Sequence, residues 1–427
     1  MDSSRPRSGV RTDVSSVANH VEMYAARVIE RCHELAQLSD VAGETTRTFL
    51  SPAIRTAMMR VQSWMETAGF AVTTDAAGNL RGVYAAASGP SKGTARLLIG
   101  SHLDTVPNGG AFDGILGVMI GLALVEMLGG SRLEFTIEVV AFSEEEGVRF
   151  RTPFIGSRAL VGRVDEELLS IKDMEGITVK DAIQGFGLDP SLIGEAVCQT
   201  RRAAYLEFHI EQGPVLESEG HSLGVVEAIS GQTRGEIVFV GAANHAGTTP
   251  MDLRRDAVTG AADWVIEVER LARATKGLVA TVGRITAVPG VGNVVAGEAR
   301  ASLDIRHTVD AVRTSAVDEL IEKADMIAEG RGLKVEWHLQ MEQRAVAMDV
   351  RLTHEAEAAV RDAGLVPLRM ASGAGHDAMI IAERLPVAMI FLRSPKGVSH
   401  HPSESVRTKD VENALTAGFA FLKRFAG

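Results

Sequence analysis

The sequence predicts an α/β domain, a mixed sheet flanked by helices, interrupted by an inserted α+β two-layer sandwich. Three observations carry this. The 427 residues exceed what one hydrophobic core usually serves. In the first half, short β-rich runs alternate with helix-period segments, the pattern of strands covered by helices. A stretch starting near Gly224 carries its own complete β-α-β-β-α-β order.

Apolar residues recur at helical spacing over 21–38 and 52–68, the second preceded by Ser51 as a cap. Residues 82–86, 95–100 and 133–142 are β-rich and bounded by turn residues. Between the last two, the apolar run 115–128 is too short for a bilayer span and is interrupted by Gly117, Gly121 and Glu126, so it predicts a buried helix. The second unit reads as a strand over 236–240, a helix over 255–274, strands over 278–286 and 299–306, a helix over 312–329 and a strand over 334–340. From 360 to 425 the α/β pattern returns. The expected domains are therefore 1–222 plus 341–427 for catalysis, with 223–340 inserted.

Hydrophobic residues make up 45% and charged residues 23%, as in soluble globular proteins. A net charge of -11 argues against a nucleic-acid surface, which needs clustered cations to displace counterions from phosphates. Cys32 and Cys198 are too few for a disulfide framework and predict free thiols in a reducing compartment. The opening residues 1–14 are polar, with Arg5, Arg7 and Arg11 and no apolar signal core. A cytoplasmic chain with no membrane partner is the expectation.

Ser101-His102-Leu103-Asp104 follows an apolar run, which places His102 at the carboxyl end of a strand, where open α/β sheets bind ligands. Asp104 is spaced to hold the second ring nitrogen of a metal-bound His102; a plain His–Asp turn would look the same. Asp113 lies in a glycine-rich loop opening the buried helix, where it would cap that helix or bridge two metals. Without a Lys-Ser/Thr ending the loop is no phosphate cradle. Glu144-Glu145-Glu146 ends the next strand, and three adjacent carboxylates there need a cation or an exposed turn. With a cation, one glutamate ligates while its neighbour acts as general base toward water. His209, and the pair His400-His401, add imidazoles. This mixed N/O set suits Zn²⁺, Mn²⁺, Co²⁺ or Ni²⁺.

The motifs Gly-Ser-His-Leu-Asp-Thr-Val (100–106), Gly-Ala-Phe-Asp-Gly (110–114), Glu-Glu-Glu-Gly-Val-Arg-Phe (144–150), His-Ile-Glu-Gln-Gly-Pro (209–214), Asn-His-Ala-Gly-Thr-Thr-Pro-Met (244–251) and Val-Ser-His-His-Pro-Ser-Glu (398–404) resemble the hydantoinase/carbamoylase amidases of the M20 metallopeptidase clan. The resemblance implies two divalent ions, one held by His102 and His209, the other by Glu146 and His400, with Asp113 bridging. It makes Glu145 the general base and His245 the oxyanion stabiliser, often offered to a neighbouring subunit in a homodimer joined through the inserted lid domain. It places Gln232, Asn293, Arg306 and the Gly373 loop on the substrate. A guanidinium such as that of Arg306 clamps a carboxylate through two parallel hydrogen bonds.

The implied activity is hydrolysis of a carbamoyl or ureido C–N bond in a small ureido acid, releasing ammonia and carbon dioxide. The stretches 46–52 and 75–80 resemble the allantoate amidohydrolases most, while the metal motifs fit N-carbamoyl-L-amino-acid hydrolases equally. N-carbamoyl-β-alanine, ureidoglycolate, aminoacylase and peptidase activities stay open, as does a non-catalytic binding module.

Overall fold

The computed structural model describes residues 20–89, 94–200 and 202–425. The polar opening of the chain lies outside the described residues. The described residues fall into two compact units: those within 20–227, 348–370 and 376–425 form the first, and residues 228–347 with 371–375 form the second.

In the first unit the sheet runs in the order Ala71–Thr74, Leu80–Tyr84, Thr136–Phe142, Arg96–His102, Ala203–Ile210, Val387–Leu392, Leu223–Ile229. The four strands from Thr136–Phe142 to Val387–Leu392 are mutually parallel, and Leu80–Tyr84 and Leu223–Ile229 pair antiparallel at either side. The sheet is therefore mixed and flanked by helices. The parallel strands Thr136–Phe142, Ala203–Ile210 and Val387–Leu392 are buried at every position, which accounts for their largely apolar sequences, with Glu138, Glu207 and His209 among the buried charged or polar exceptions.

Helix Ile115–Glu126 is buried from Ile115 through Val125. It packs on the strands Arg96–His102 and Ala203–Ile210 and is covered by the helices Val21–Ala36 and Thr408–Arg424. Being enclosed on every side, it has no polar face, as the sequence required. Its close seat depends on Gly117, where a Cβ would overlap the Phe208 carbonyl. Gly117→Ala is expected to lower stability by about 1–3 kcal/mol through overpacking, read as a fall in the denaturant midpoint; an unchanged midpoint would refute the tight seat. Ser51 caps helix Pro52–Thr67 by accepting the Ile54 N–H.

In the second unit the sheet order is Ile285–Val288, Glu298–His307, Gly231–Val240, Lys334–Gln343, all antiparallel, with Val279–Thr281 also on Glu298–His307. Helices Ala257–Ala274 and Asp310–Arg331 pack on one face around Trp264, Phe239 and Leu320. The opposite face carries Arg234, Glu236, Arg300, Asp304 and Arg306 in ion pairs. One sequence expectation needs correction: 278–286 is not a single strand. The Ser302 hydroxyl takes the Arg284 N–H, which interrupts the ladder and leaves two short strands.

Candidate metal centre

The parallel strands end on one edge of the first sheet, and the reactive side chains follow them. His102 is the last residue of its strand, His209 the penultimate of the next, and Thr136–Phe142 runs directly into Ser143 to Glu146. Asp113 arrives on the loop before the buried helix, and His400 on the loop beyond Val387–Leu392.

Their ligand atoms converge. His209 Nε2 lies 3.3 Å from Asp113 Oδ1, and His102 Nε2 lies 3.9 Å from the same oxygen. On the other side His400 Nε2 is 3.1 Å from Asp113 Oδ2 and 3.6 Å from Glu146 Oε1. Glu145 Oε2 stands 3.9 Å from His102 Nε2. Sets of one atom each from His102, Asp113 and His209, and from Asp113, Glu146 and His400, lie within 4.8 Å of one another. Asp113 belongs to both sets. Its alternative as a helix cap is not realised: the cap position is Gly114, without side-chain bonding.

Whether these donors suit a divalent ion can be tested on the rings. His102 Nδ1 is 3.0 Å from the Asp104 carbonyl and His209 Nδ1 is 2.9 Å from the Ile210 carbonyl. A carbonyl only accepts, so both Nδ1 atoms carry protons and both Nε2 lone pairs turn inward, 3.5 Å apart. Two facing lone pairs need a proton or a cation between them. Electrostatics agrees: burial works to lower His102, but Asp104, Asp113, Glu146 and Asp377 outweigh it and lift the ring to about 9. Burial instead takes His209 down to about 4. Burial, then Glu146, Asp377, Asp104 and Asp113, raise Glu145 well above the usual carboxylate range. The donor set fits.

Asp104 acts differently from the expectation. Its backbone carbonyl, not its carboxylate, holds His102; Oδ1 is 3.6 Å from Nδ1. The carboxylate instead accepts the N–H groups of Glu145 at 3.1 Å and Glu146 at 3.0 Å. Glu144 turns away from the centre and accepts N–H bonds from Phe49 and Arg149. Only two of the three adjacent glutamates therefore face the ligands. His401 Nδ1 is engaged with Ser403 Oγ at 2.7 Å, which leaves His400 as the imidazole facing Asp113.

In the second unit, His245 pairs with Val294, and the Ala246 N–H donates to the Asn293 carbonyl, so His245 and Asn293 are neighbours. His245 is exposed, and its Nδ1 accepts the Gly247 N–H at 3.1 Å. Arg306 is register partner to Gln232 and donates from Nη1 to the Gly373 carbonyl at 2.6 Å. Asp304 gathers this group: it takes Arg306 Nε at 2.8 Å and Nη2 at 2.9 Å, and Gln232 Nε2 at 2.7 Å.

Three contributors escaped the sequence reading. Gln212 donates from Nε2 to both Asp113 oxygens at 3.1 Å and to Ser399 Oγ at 3.2 Å. Glu207 is fully buried and bonds Ser101 Oγ and the Ala378 N–H beneath the histidines. Glu404 binds the Asp113 loop. For Glu207 the signal was its place two residues before His209, on the same face of one strand. Glu144, Gln212 and His400 also hold left-handed backbone, with φ of 50°, 58° and 55°, though none is glycine. Such residues concentrate where function over-determines the backbone.

The profile of peptidase family M20/M25/M40 matches residues 98–426. An allantoate deiminase of Arabidopsis thaliana is 36% identical, over 95% of this chain and 83% of its own. An N-carbamoyl-L-amino acid amidohydrolase of Geobacillus stearothermophilus is 39% identical, over 88% of this chain and 93% of its own. The crystal structure of a hydantoinase/carbamoylase family amidase from Burkholderia multivorans superposes with a TM-score of 0.88 at 33% identity, covering 94% of this chain and 97% of that one. The chain thus belongs to peptidase family M20/M25/M40 and, within it, to the hydantoinase/carbamoylase amidases, hydrolases of C–N bonds outside peptides.

Proposed function

We propose that the protein hydrolyses the carbamoyl or ureido C–N bond of a small ureido acid, with allantoate as the first candidate, using two divalent ions. The carrying observation is that Asp113 sits within reach of two ligand sets while Glu145 stands beside them. Ions held by His102, His209, Asp113, Glu146 and His400 would supply Lewis-acid polarisation of water and of the substrate carbonyl.

The remaining steps belong to the chain's own residues. Glu145 takes a proton from the attacking water and returns it to the leaving nitrogen. A carboxylate whose proton affinity is raised by burial and by neighbouring carboxylates is suited to both transfers. Asp104 keeps Glu145 and Glu146 in place through their backbone N–H groups. In this reading the 223–340 segment is a lid and dimerisation domain: His245 stabilises the oxyanion, Asn293, Gln232 and Gly373 line the substrate, and Arg306 clamps its carboxylate. One water and one ureido group yield an amine, ammonia and carbon dioxide.

An N-carbamoyl-L-amino acid is the second reading, favoured by the Geobacillus stearothermophilus relative. Ammonia release from allantoate, N-carbamoyl-L-amino acids and N-carbamoyl-β-alanine, with acetate release from an N-acetyl amino acid measured beside it, separates the candidates. Turnover of the N-acetyl compound alone would overturn the proposal. On the best substrate, Arg306→Lys should raise KM roughly 10- to 100-fold with less change in kcat, because a bidentate charged clamp becomes a single point contact. An unchanged KM would remove Arg306 from the substrate.

A further inference from the structure

We propose that Glu404 is a positioning residue, fixing the Asp113 loop against the His400 loop so that both present their ligands together. This rests on the ion-binding reading above. Glu404 is 6% exposed, yet it is not turned toward the ligand atoms. Its Oε1 accepts the backbone N–H of Phe112 at 2.9 Å and of Asp113 at 3.0 Å. Its Oε2 accepts the Ser399 hydroxyl at 3.2 Å, and its own N–H donates to the His401 carbonyl at 2.9 Å. One carboxylate therefore grips Asp113 by its backbone on one side and the residue preceding His400 on the other.

The fit between these distant loops is built into both. Gly110 has no side chain where the Glu404 carboxylate lies, and any Cβ there would collide with it. Ser399 Oγ, besides donating to Glu404, accepts from Gln212 Nε2, the same amide that donates to Asp113. The connection from Asp113 through Glu404 and Ser399 to Gln212 and back is closed. His400 itself sits in left-handed backbone and its side chain is half exposed, so fewer packing contacts hold it than hold the buried Asp113. Cutting the Glu404 link frees the His400 side most.

The geometry also separates a hydrogen-bonding role from a charge role. A glutamine at 404 keeps the connections: its carbonyl accepts both N–H groups and its amide donates to Ser399 Oγ. Alanine keeps none.

The test is Mn²⁺ titration by calorimetry on the full chain, with circular dichroism confirming the fold of each variant. Glu404→Ala should weaken Mn²⁺ binding roughly 10- to 100-fold, the usual effect of losing a partner that orients ligands. Glu404→Gln should restore it to within a few-fold of wild type, and Ser399→Ala should fall between. A buried carboxylate that merely supports the fold would lower the melting temperature and leave affinity unmoved. Wild-type affinity in Glu404→Ala, or a Gln variant as weak as the Ala variant, overturns the inference while leaving the proposed function intact. If Glu404→Ala does not fold, unchanged affinity in Ser399→Ala overturns it. No Mn²⁺ binding by the wild-type chain overturns the proposed function and this inference together.

Discussion

Glu145→Gln is expected to reduce turnover roughly a thousandfold while bound metal stays near the wild-type level, because general acid–base transfer contributes on that order. The substitution is nearly isosteric, so packing around this buried side chain is preserved. The backbone N–H of Glu145 still reaches Asp104, and the amide oxygen still accepts hydrogen bonds. What disappears is the capacity to carry a proton. The raised proton affinity of Glu145 comes from burial first and from four neighbouring carboxylates after it, so no other group in that position inherits the task. Ammonia release together with metal analysis on the same preparation decides the matter: activity within tenfold of wild type, at full metal content, would dismiss Glu145 as the base.

Removing the metal should have the second large effect. Asp104, Asp113, Glu145, Glu146, Glu207 and Asp377 gather at the carboxyl ends of the parallel strands, and all but Glu146 are buried. Without cations their mutual repulsion is eased by protonation, by hydrogen bonds such as those from Gln212 and the backbone, and by His102 and His400, both raised to about 9 there. A ligand present at a thousand times its dissociation constant stabilises the folded state by about 4 kcal/mol. For a unit of this size that corresponds to roughly 6 °C in melting temperature. Treatment with a chelator should therefore abolish activity and lower the melting point by about that amount, and added Mn²⁺ or Zn²⁺ should restore both. Equal melting curves with and without chelator, at full activity, would contradict metal dependence.

Much of the sheet and of the candidate ligand cluster was legible because both follow from local patterns. The runs ending at His102 and Phe142 are mostly apolar, carrying Leu97 to Ile99 and Val139 to Phe142, so the polar side chains just beyond those stretches mark the strand ends. The enclosed helix declared itself by having no polar face. Partners fixed by tertiary packing left less trace. Nothing local to Asp104 says that its carboxylate would reach forward to the N–H groups of Glu145 and Glu146 rather than back to His102. Glu404 and Phe112 are far apart in the chain, and Gln212 meets Asp113 and Ser399 only because three loops share one edge. The interrupted strand at Arg284 turned on one hydroxyl, Ser302, that strand periodicity does not weigh.

The left-handed backbone at Glu144, Gln212 and His400 divides the first unit into two kinds of material. Residues held there cost on the order of 1 kcal/mol each, and that cost falls on the loops, not on the strands beneath. The parallel strands are an ordinary apolar platform whose stability owes nothing to the reaction. The rim carries the strain and is held in shape by its own hydrogen bonds, such as those that Glu404 and Asp104 accept from backbone N–H groups. A rim of this kind can be rewritten by changing a few loop residues while the platform stays the same, so a single scaffold can be turned toward different nitrogen compounds without having to fold anew.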